Sequence, residues 1–241
     1  MTSAGHATGP DLEQLLVWGR TRGAARVLDI ATGGGHTALA FSRFTSSVVA
    51  VDLTLPMLRA AREFTAVRAP DPARPIRFLA ADAEALPFKA GTFGAVTCRI
   101  AAHHFPALLP ALREVARVLR AGGSFLVQDI LGHDDEEAAA FITEVERRRD
   151  PSHARAFRQL EWTAFLRAAG LTVMDEAVMS RRRNWDDWTS RMRMTAGARA
   201  DLERFVLAAP ARCREAFDFA IEHGRVVAFS DRMLLLRADR D

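Results

Sequence analysis

The stretch Val27-Leu-Asp-Ile-Ala-Thr-Gly-Gly-Gly-His36 constrains the fold more than any other: a short apolar run carrying an acid leads straight into three consecutive glycines. Glycine has no Cβ and tolerates positive φ, so Gly33, Gly34 and Gly35 let the main chain turn sharply and approach a ligand at the mouth of a helix. Glycines also punctuate ordinary turns, so the loop gains weight only from the residues downstream of it. A helical run resumes at His36–Ser42, and Ser47-Val-Val-Ala-Val-Asp52 reads as a second short strand ending in a carboxylate. Asp52 lies 23 residues beyond Asp29. That is the length of one βα unit, which brings Asp52 to the carboxyl edge of the neighbouring strand, within reach of a ribose diol.

The alternation continues. Short strands are readable at 25–30, 47–53, 76–82, 93–100 and 123–130, separated by helical stretches such as 56–66 and 107–120. This βαβ rhythm predicts an α/β fold with a mostly parallel sheet and helices on both faces. The 107–120 helix carries Leu108, Leu109, Leu112, Val115, Ala116 and Leu119 on one face, and Gly122-Gly123 reads as its C-terminal stop. Beyond residue 130 the rhythm loosens: helices at 134–149 and 160–169, a strand at 171–178, then helical periodicity over 185–223. Val226-Val-Ala-Phe229 and Met233-Leu-Leu-Leu236 read as a closing strand. Residues 1–10 read as a loose tail, and 11–241 as a single domain with helical insertions near 131–159 and 181–223 that sit where a lid would.

With 241 residues and 49% hydrophobic content, one sizeable core is within reach. Cys98 and Cys213 are far apart and lack metal-ligand company, so no metal site is read, and a reduced, cytoplasmic setting is expected. No run approaches the ~20 apolar residues of a membrane span. Of 33 cationic residues all but Lys89 are arginine, yet the net charge is only +3. Arg147-Arg148-Arg149 closes a helix that opens with acids, the sign pattern that complements a helix dipole. Arg181-Arg182-Arg183 reads as a solvated turn, with a face towards an anionic substrate as the alternative. Nucleic acid is a disfavoured partner, and oligomeric state, a homodimer included, is left open.

Five motifs occur in order: the glycine loop, Val51-Asp-Leu-Thr-Leu-Pro-Met57, Ala81-Asp-Ala-Glu-Ala-Leu-Pro-Phe88, Phe93–Phe105, and Leu112-Arg-Glu-Val-Ala-Arg-Val-Leu-Arg-Ala-Gly-Gly123. Over about residues 20–130 this pattern resembles the class I S-adenosylmethionine-dependent methyltransferases, in particular the ubiquinone and menaquinone biosynthesis branch that acts on small molecules. Arg149-Asp-Pro-Ser-His153 and Glu161-Trp162 resemble an uncharacterised bacterial subgroup. The resemblance implies a seven-stranded Rossmann-like sheet and S-adenosyl-L-methionine as cofactor. It further implies that Asp29 and the loop backbone engage the methionyl part, Asp52 the ribose hydroxyls and Asp82 the adenine amino group. Ala83 offers its N–H to the ring, and Leu53 and Met57 form apolar walls. With Ala31, Gly33, Gly35 and Arg99, these complete the expected binding set. Ala31 stands where the family carries its first glycine, so a positive φ there would strain the loop by about 1 kcal/mol or more.

In-line methyl transfer depends chiefly on alignment and exclusion of water. An acceptor that loses a proton also benefits from a base, and His103 and His104 lie at the carboxyl end of the fourth strand as candidates. Gln128 and Asp129 are further pocket candidates, with packing roles as the alternative; His153 and Trp162 are weaker. The reading is methyl transfer to the oxygen, nitrogen or carbon of a small molecule. Two alternatives stand beside it: a non-catalytic S-adenosylmethionine-binding protein, and a nicotinamide-dependent oxidoreductase suggested by Gly33-x-Gly35-x-x-Ala38 with Asp52 downstream. Asp29 argues against the last, because a carboxylate before the loop repels a pyrophosphate and suits a cationic methionyl group.

Overall fold

The structure is a computed structural model that describes residues 9–21, 23, 25–68 and 76–241. Most of the expected N-terminal tail, residues 1–8, lies outside the described residues. In chain order the elements are α1 (Pro10–Thr21), β1 (Arg26–Ile30), α2 (His36–Ser42), β2 (Ser47–Asp52), α3 (Leu55–Ala66), β3 (Ile76–Ala80), β4 (Phe93–Arg99) and α4 (Leu108–Val118). They continue with β5 (Leu119–Ile130), α5 (Glu136–Arg149), α6 (Gln159–Ala168), β6 (Leu171–Asn184), α7 (Trp185–Ser190), α8 (Ala196–Ala208), α9 (Ala211–Ala216), β7 (Ala220–Glu222) and β8 (Arg225–Arg240). Among the described residues the sheet has eight strands, in the order β3-β2-β1-β4-β5-β8-β6, with the short β7 paired to β8. The architecture is the mixed α/β, mostly parallel arrangement expected, with β7 as an addition to the seven strands.

The chain divides into two compact units. The first comprises residues through Asp129, Trp162–Ala177 and Leu235–Asp241; the second comprises Ile130–Glu161 and Val178–Leu234. The latter two segments contain the 131–159 stretch and the 181–223 stretch.

In the first unit β1 runs parallel to both β2 and β4, with Asp29 opposite Ala50 on one side and Thr97 on the other. The crossovers leave β1 in opposite directions. The gap between β1 and β4 is therefore the topological switch point, where parallel α/β sheets bind their ligands. Leu15 and Trp18 of α1 pack with Phe41 of α2 on Val27, Val48, Ala50 and Ala95. Gly19 makes that contact possible, since a Cβ there would lie 2.5 Å from the Phe41 ring.

Two boundaries differ from expectation. Helix α4 ends at Val118, and Gly122-Gly123 lies inside β5 rather than capping the helix. Phe93 pairs with Leu119 but Ala95 with Ser124, so β5 carries extra residues in a bulge. Gly122 has φ +67°, and a Cβ on Gly123 would meet the Arg120 carbonyl at 2.9 Å. The glycines serve the bulge, not a helix stop. Strand β6 extends to Asn184, so Arg181, Arg182 and Arg183 are strand residues rather than a turn.

The second unit has its own core, in which Phe141, Ile142 and Val145 of α5 pack with Trp185, Trp188, Leu202, Val206, Phe217 and Phe229. Helices α5 and α7 begin on side-chain caps: Asp135 accepts from the Ala138 N–H at 2.8 Å, and Asn184 from the Asp187 N–H at 3.0 Å. The expected helical insertion over 185–223 contains α7, α8 and α9, and its end is the strand β7. It ends in a hairpin, where His223 (φ +50°) and Gly224 (φ +75°) turn β7 antiparallel into β8. The two apolar runs near the C-terminus belong to the single 16-residue strand β8. Trp185 is fully buried, whereas Leu160 is largely exposed. Trp185→Ala should therefore lower unfolding stability by about 3–5 kcal/mol. Leu160→Ala should change it by less than about 0.5 kcal/mol, with urea denaturation reading both.

Candidate functional site

The loop after β1 is built around two carboxylates. Asp29 is 1% exposed and accepts from the Thr32 hydroxyl at 2.6 Å and, across the strand pair, from the Thr97 hydroxyl at 2.6 Å. Asp52, at the end of β2, accepts from the Gly33 N–H at 2.9 Å through one oxygen. Its other oxygen takes the Thr54 N–H and hydroxyl, each at 2.9 Å. Main-chain bonds complete the frame: the Thr32 N–H donates to the Val51 carbonyl at 2.9 Å and the Gly35 N–H to the Thr32 carbonyl at 2.9 Å.

Ala31, Gly33 and Gly35 all have positive φ, at 49°, 52° and 79°. Ala31 thus bears the left-handed strain that its departure from glycine predicts. The glycines do different work. A Cβ on Gly35, at the N-cap of α2, would come within 3.1 Å of Ala61 and 3.2 Å of Thr65 on α3. A Cβ on Gly33 would meet only the terminal methyl of Met57, at 3.7 Å. Gly35 therefore permits helix packing, while Gly33 leaves open space beside two carboxylates.

Around that space Leu53 is 71% and Met57 42% exposed, large apolar side chains at the end of β2 and the start of α3. Asp82 is exposed just after β3, one oxygen accepting from the Glu84 N–H at 2.9 Å, and Ala83 is buried beside it. Leu79 also leaves much of its side chain exposed. Such apolar exposure at a strand edge suits a flat ligand rather than bulk water.

Arg99 points differently. Its guanidinium holds Asp11 of α1 at 2.6 Å and Gln128 of β5 at 2.8 Å, so it ties the amino end of the first helix to two strand ends. The next residue, Ile100, has φ +55°, an outlier for a β-branched side chain, and its N–H donates to the Gln128 carbonyl at 2.7 Å. This strained turn leads into a 3-10 turn, Ala102–His104. There the buried His103 meets Asp129: its Nδ1 lies 2.5 Å from one carboxylate oxygen, and its main-chain N–H donates to the other at 3.1 Å. The His104 ring lies 4.1 Å from that of His103. The sequence singled out both partners separately. Their pairing, 26 residues apart, and the Thr32 and Thr97 bonds to Asp29 had no local signature.

Burial raises the Asp29 carboxyl from 3.8 to about 6, against the opposing pull of the Thr32 and Thr97 hydroxyls. The folded state therefore binds this proton more tightly than the unfolded chain. The stabilisation from that proton is complete below about pH 4, fades between pH 4 and 6, and is absent above. An ionised, buried acid at neutral pH costs the fold on the order of 3 kcal/mol. Relative to wild type, Asp29→Asn should gain stability as pH rises from 4 to 7. Parallel denaturant midpoints for the two proteins across that range would contradict this assignment.

Among the described residues, no helix is long and apolar enough to cross a membrane and no group of three or more His, Cys, Asp or Glu could hold a metal. The methyltransferase domain family matches residues 28–127, the segment that contains the whole loop, both carboxylates and the His103–Asp129 pair's histidine. The chain is 34% identical over 236 residues to the uncharacterized methyltransferase YcgJ of Bacillus subtilis, covering 96% of this chain and 90% of that protein. It is 41% identical to the demethylmenaquinone methyltransferase of Thermus thermophilus, over 104 residues that cover 42% of this chain and 46% of that one. The crystal structure of BH2331 from Bacillus halodurans superposes with a TM-score of 0.90 at 35% identity, covering 96% of this chain and 99% of that one. The glycine loop between two buried acids at the switch point, and relatives that match almost end to end, identify the chain as a member of the class I S-adenosylmethionine-dependent methyltransferases.

Proposed function

We propose that the protein methylates a small molecule at a hydroxyl, amine or activated carbon, with the cofactor held at the Gly33 loop and His103 taking the acceptor's proton. The observation that carries this reading is the open space at Gly33, flanked by Asp29 and Asp52 and floored by Met57. When bound, S-adenosylmethionine supplies a methyl group on a sulfonium, ready for in-line displacement.

The residues suit that cofactor. Asp52 already accepts three hydrogen bonds from Gly33 and Thr54, which hold its carboxylate at the strand end as an acceptor for ribose hydroxyls. A charged hydrogen bond there contributes about 1.5–3 kcal/mol. Asp29 keeps a negative charge in a desolvated setting, where it attracts the cationic amine and sulfonium more strongly than it would in water. Leu53, Met57 and the Asp82-Ala83 turn present apolar walls and polar edges to adenine. Arg99 ties Asp11 and Gln128 together at the rim of the loop.

His103 is oriented for proton transfer. The 2.5 Å contact between Nδ1 and the Asp129 carboxylate fixes the orientation of the ring, and on this reading the imidazole serves as the base. The second bond, from the His103 N–H to Asp129, locks the turn that carries the ring. The proton lost by the acceptor as it gains a methyl group would pass to the His103 imidazole.

The test is release of S-adenosylhomocysteine from S-adenosylmethionine in a fractionated metabolite extract, with product mass identifying the acceptor. Wild type should turn over at least one fraction. His103→Gln should lose about 10²–10⁴-fold in kcat with cofactor affinity unchanged. An undiminished kcat in that variant would make His103 a packing residue, and cofactor binding without turnover in any fraction would favour a non-catalytic binder.

A further inference from the structure

On one face of β6 two half-buried arginines share a single carboxylate. Arg181 and Arg183 sit two residues apart on β6, so both side chains leave the same face. Both reach Asp231 of β8: Arg181 through Nε at 3.0 Å and Nη2 at 2.8 Å, Arg183 through Nε alone at 2.9 Å. Arg182, on the opposite face, turns to Asp218. Arg149, the last residue of α5, lies close enough to feel both Asp231 and Arg183. It lies over the Trp188 ring at 4.4 Å and donates from Nε to the Trp188 carbonyl at 3.0 Å. Its contact with Glu146 is long, at 3.5 Å.

The unused donors are specific. The two terminal nitrogens of Arg183, a side chain only 13% exposed, have no acceptor among the described residues. Nη2 of Arg149, 15% exposed, and Nη1 of Arg181 have none either. Burial pulls the Arg149 guanidinium down from its ordinary value, and Arg183 adds repulsion. Half-buried guanidiniums that repel one another leave these N–H groups open to an incoming acceptor. An oxyanion that accepts from both removes the repulsion and satisfies the donors together.

We propose that Arg149 and Arg183, flanked by Arg181, form a binding site for the carboxylate or phosphate of a small molecule. Asp231 anchors the two strand arginines in position and at the same time competes with the ligand for them. This gives the site an unusual signature: removing a cation weakens it, whereas removing the acid's charge strengthens it. The site lies within the second unit and does not depend on the identity of the methyl acceptor.

The test tracks the arginine Nε–H resonances of the full-length protein as inorganic phosphate or acetate is titrated at constant ionic strength, each anion measured separately. Saturable shifts at Arg149 and Arg183 with either anion are expected. Arg183→Gln should weaken that binding at least tenfold, Asp231→Asn should tighten it about threefold or more, and Arg155→Gln, which removes an exposed guanidinium, should leave it unchanged. Should Arg183→Gln fail to fold, Arg149→Gln reads the same loss. Neither anion saturating the shifts below about 50 mM, or Asp231→Asn binding more weakly than wild type, would overturn the proposal.

Discussion

The Gly33 loop depends on the hydrogen bond from the Gly33 N–H to the Asp52 carboxylate. It joins the ends of β1 and β2 through a side chain rather than through the sheet ladder, and it sets how far the loop stands from α3. Asp29 does the same for β1 and β4 through the Thr97 hydroxyl. The two acids therefore fasten the three central strands at the edge where a parallel sheet binds ligands, and the turn between them inherits its shape from those bonds.

The Asp29 fastening and the turns beside it carry a cost. Asp29 is buried, held by the Thr32 and Thr97 hydroxyls and the Ala38 N–H, and Ala31 and Ile100 hold backbone conformations that L-residues avoid. Strain and desolvated charge concentrated at one edge of a sheet are the pattern that functional sites carry, which is the basis of the proposed cofactor site. On the proposed reading a cationic cofactor would offset the charge cost on binding, turning an arrangement unfavourable in the free protein into affinity.

Much of this was legible in the sequence, for identifiable reasons. The β–α alternation, the glycine loop and the acids at 29, 52 and 82 depend on short-range periodicity and on fixed spacings within one βα unit. The failures lie where a distant partner decides. Gly122-Gly123 looks like a helix stop because nothing nearby announces that β5 must bulge to meet Phe93 and Ala95 in register. Arg181–Arg183 looks like a solvated turn because a polar run lacks apolar alternation; Asp231, about fifty residues on, draws two of its side chains to one face of a strand. His103 and Asp129 were each visible as polar residues at strand ends, but only the parallel pairing of β4 with β5 brings them together.

The most direct measurement of the central claim is calorimetric titration of wild type and Asp52→Ala with S-adenosylmethionine, S-adenosylhomocysteine and NAD, alongside thermal unfolding of both proteins. Wild type should bind the first two and not the third. Asp52→Ala should lose about 10–100-fold in affinity for both while remaining folded, the equivalent of one charged hydrogen bond. Binding of NAD alone, or undiminished affinity in Asp52→Ala, would contradict a cofactor held at the Gly33 loop by the acid at the end of β2.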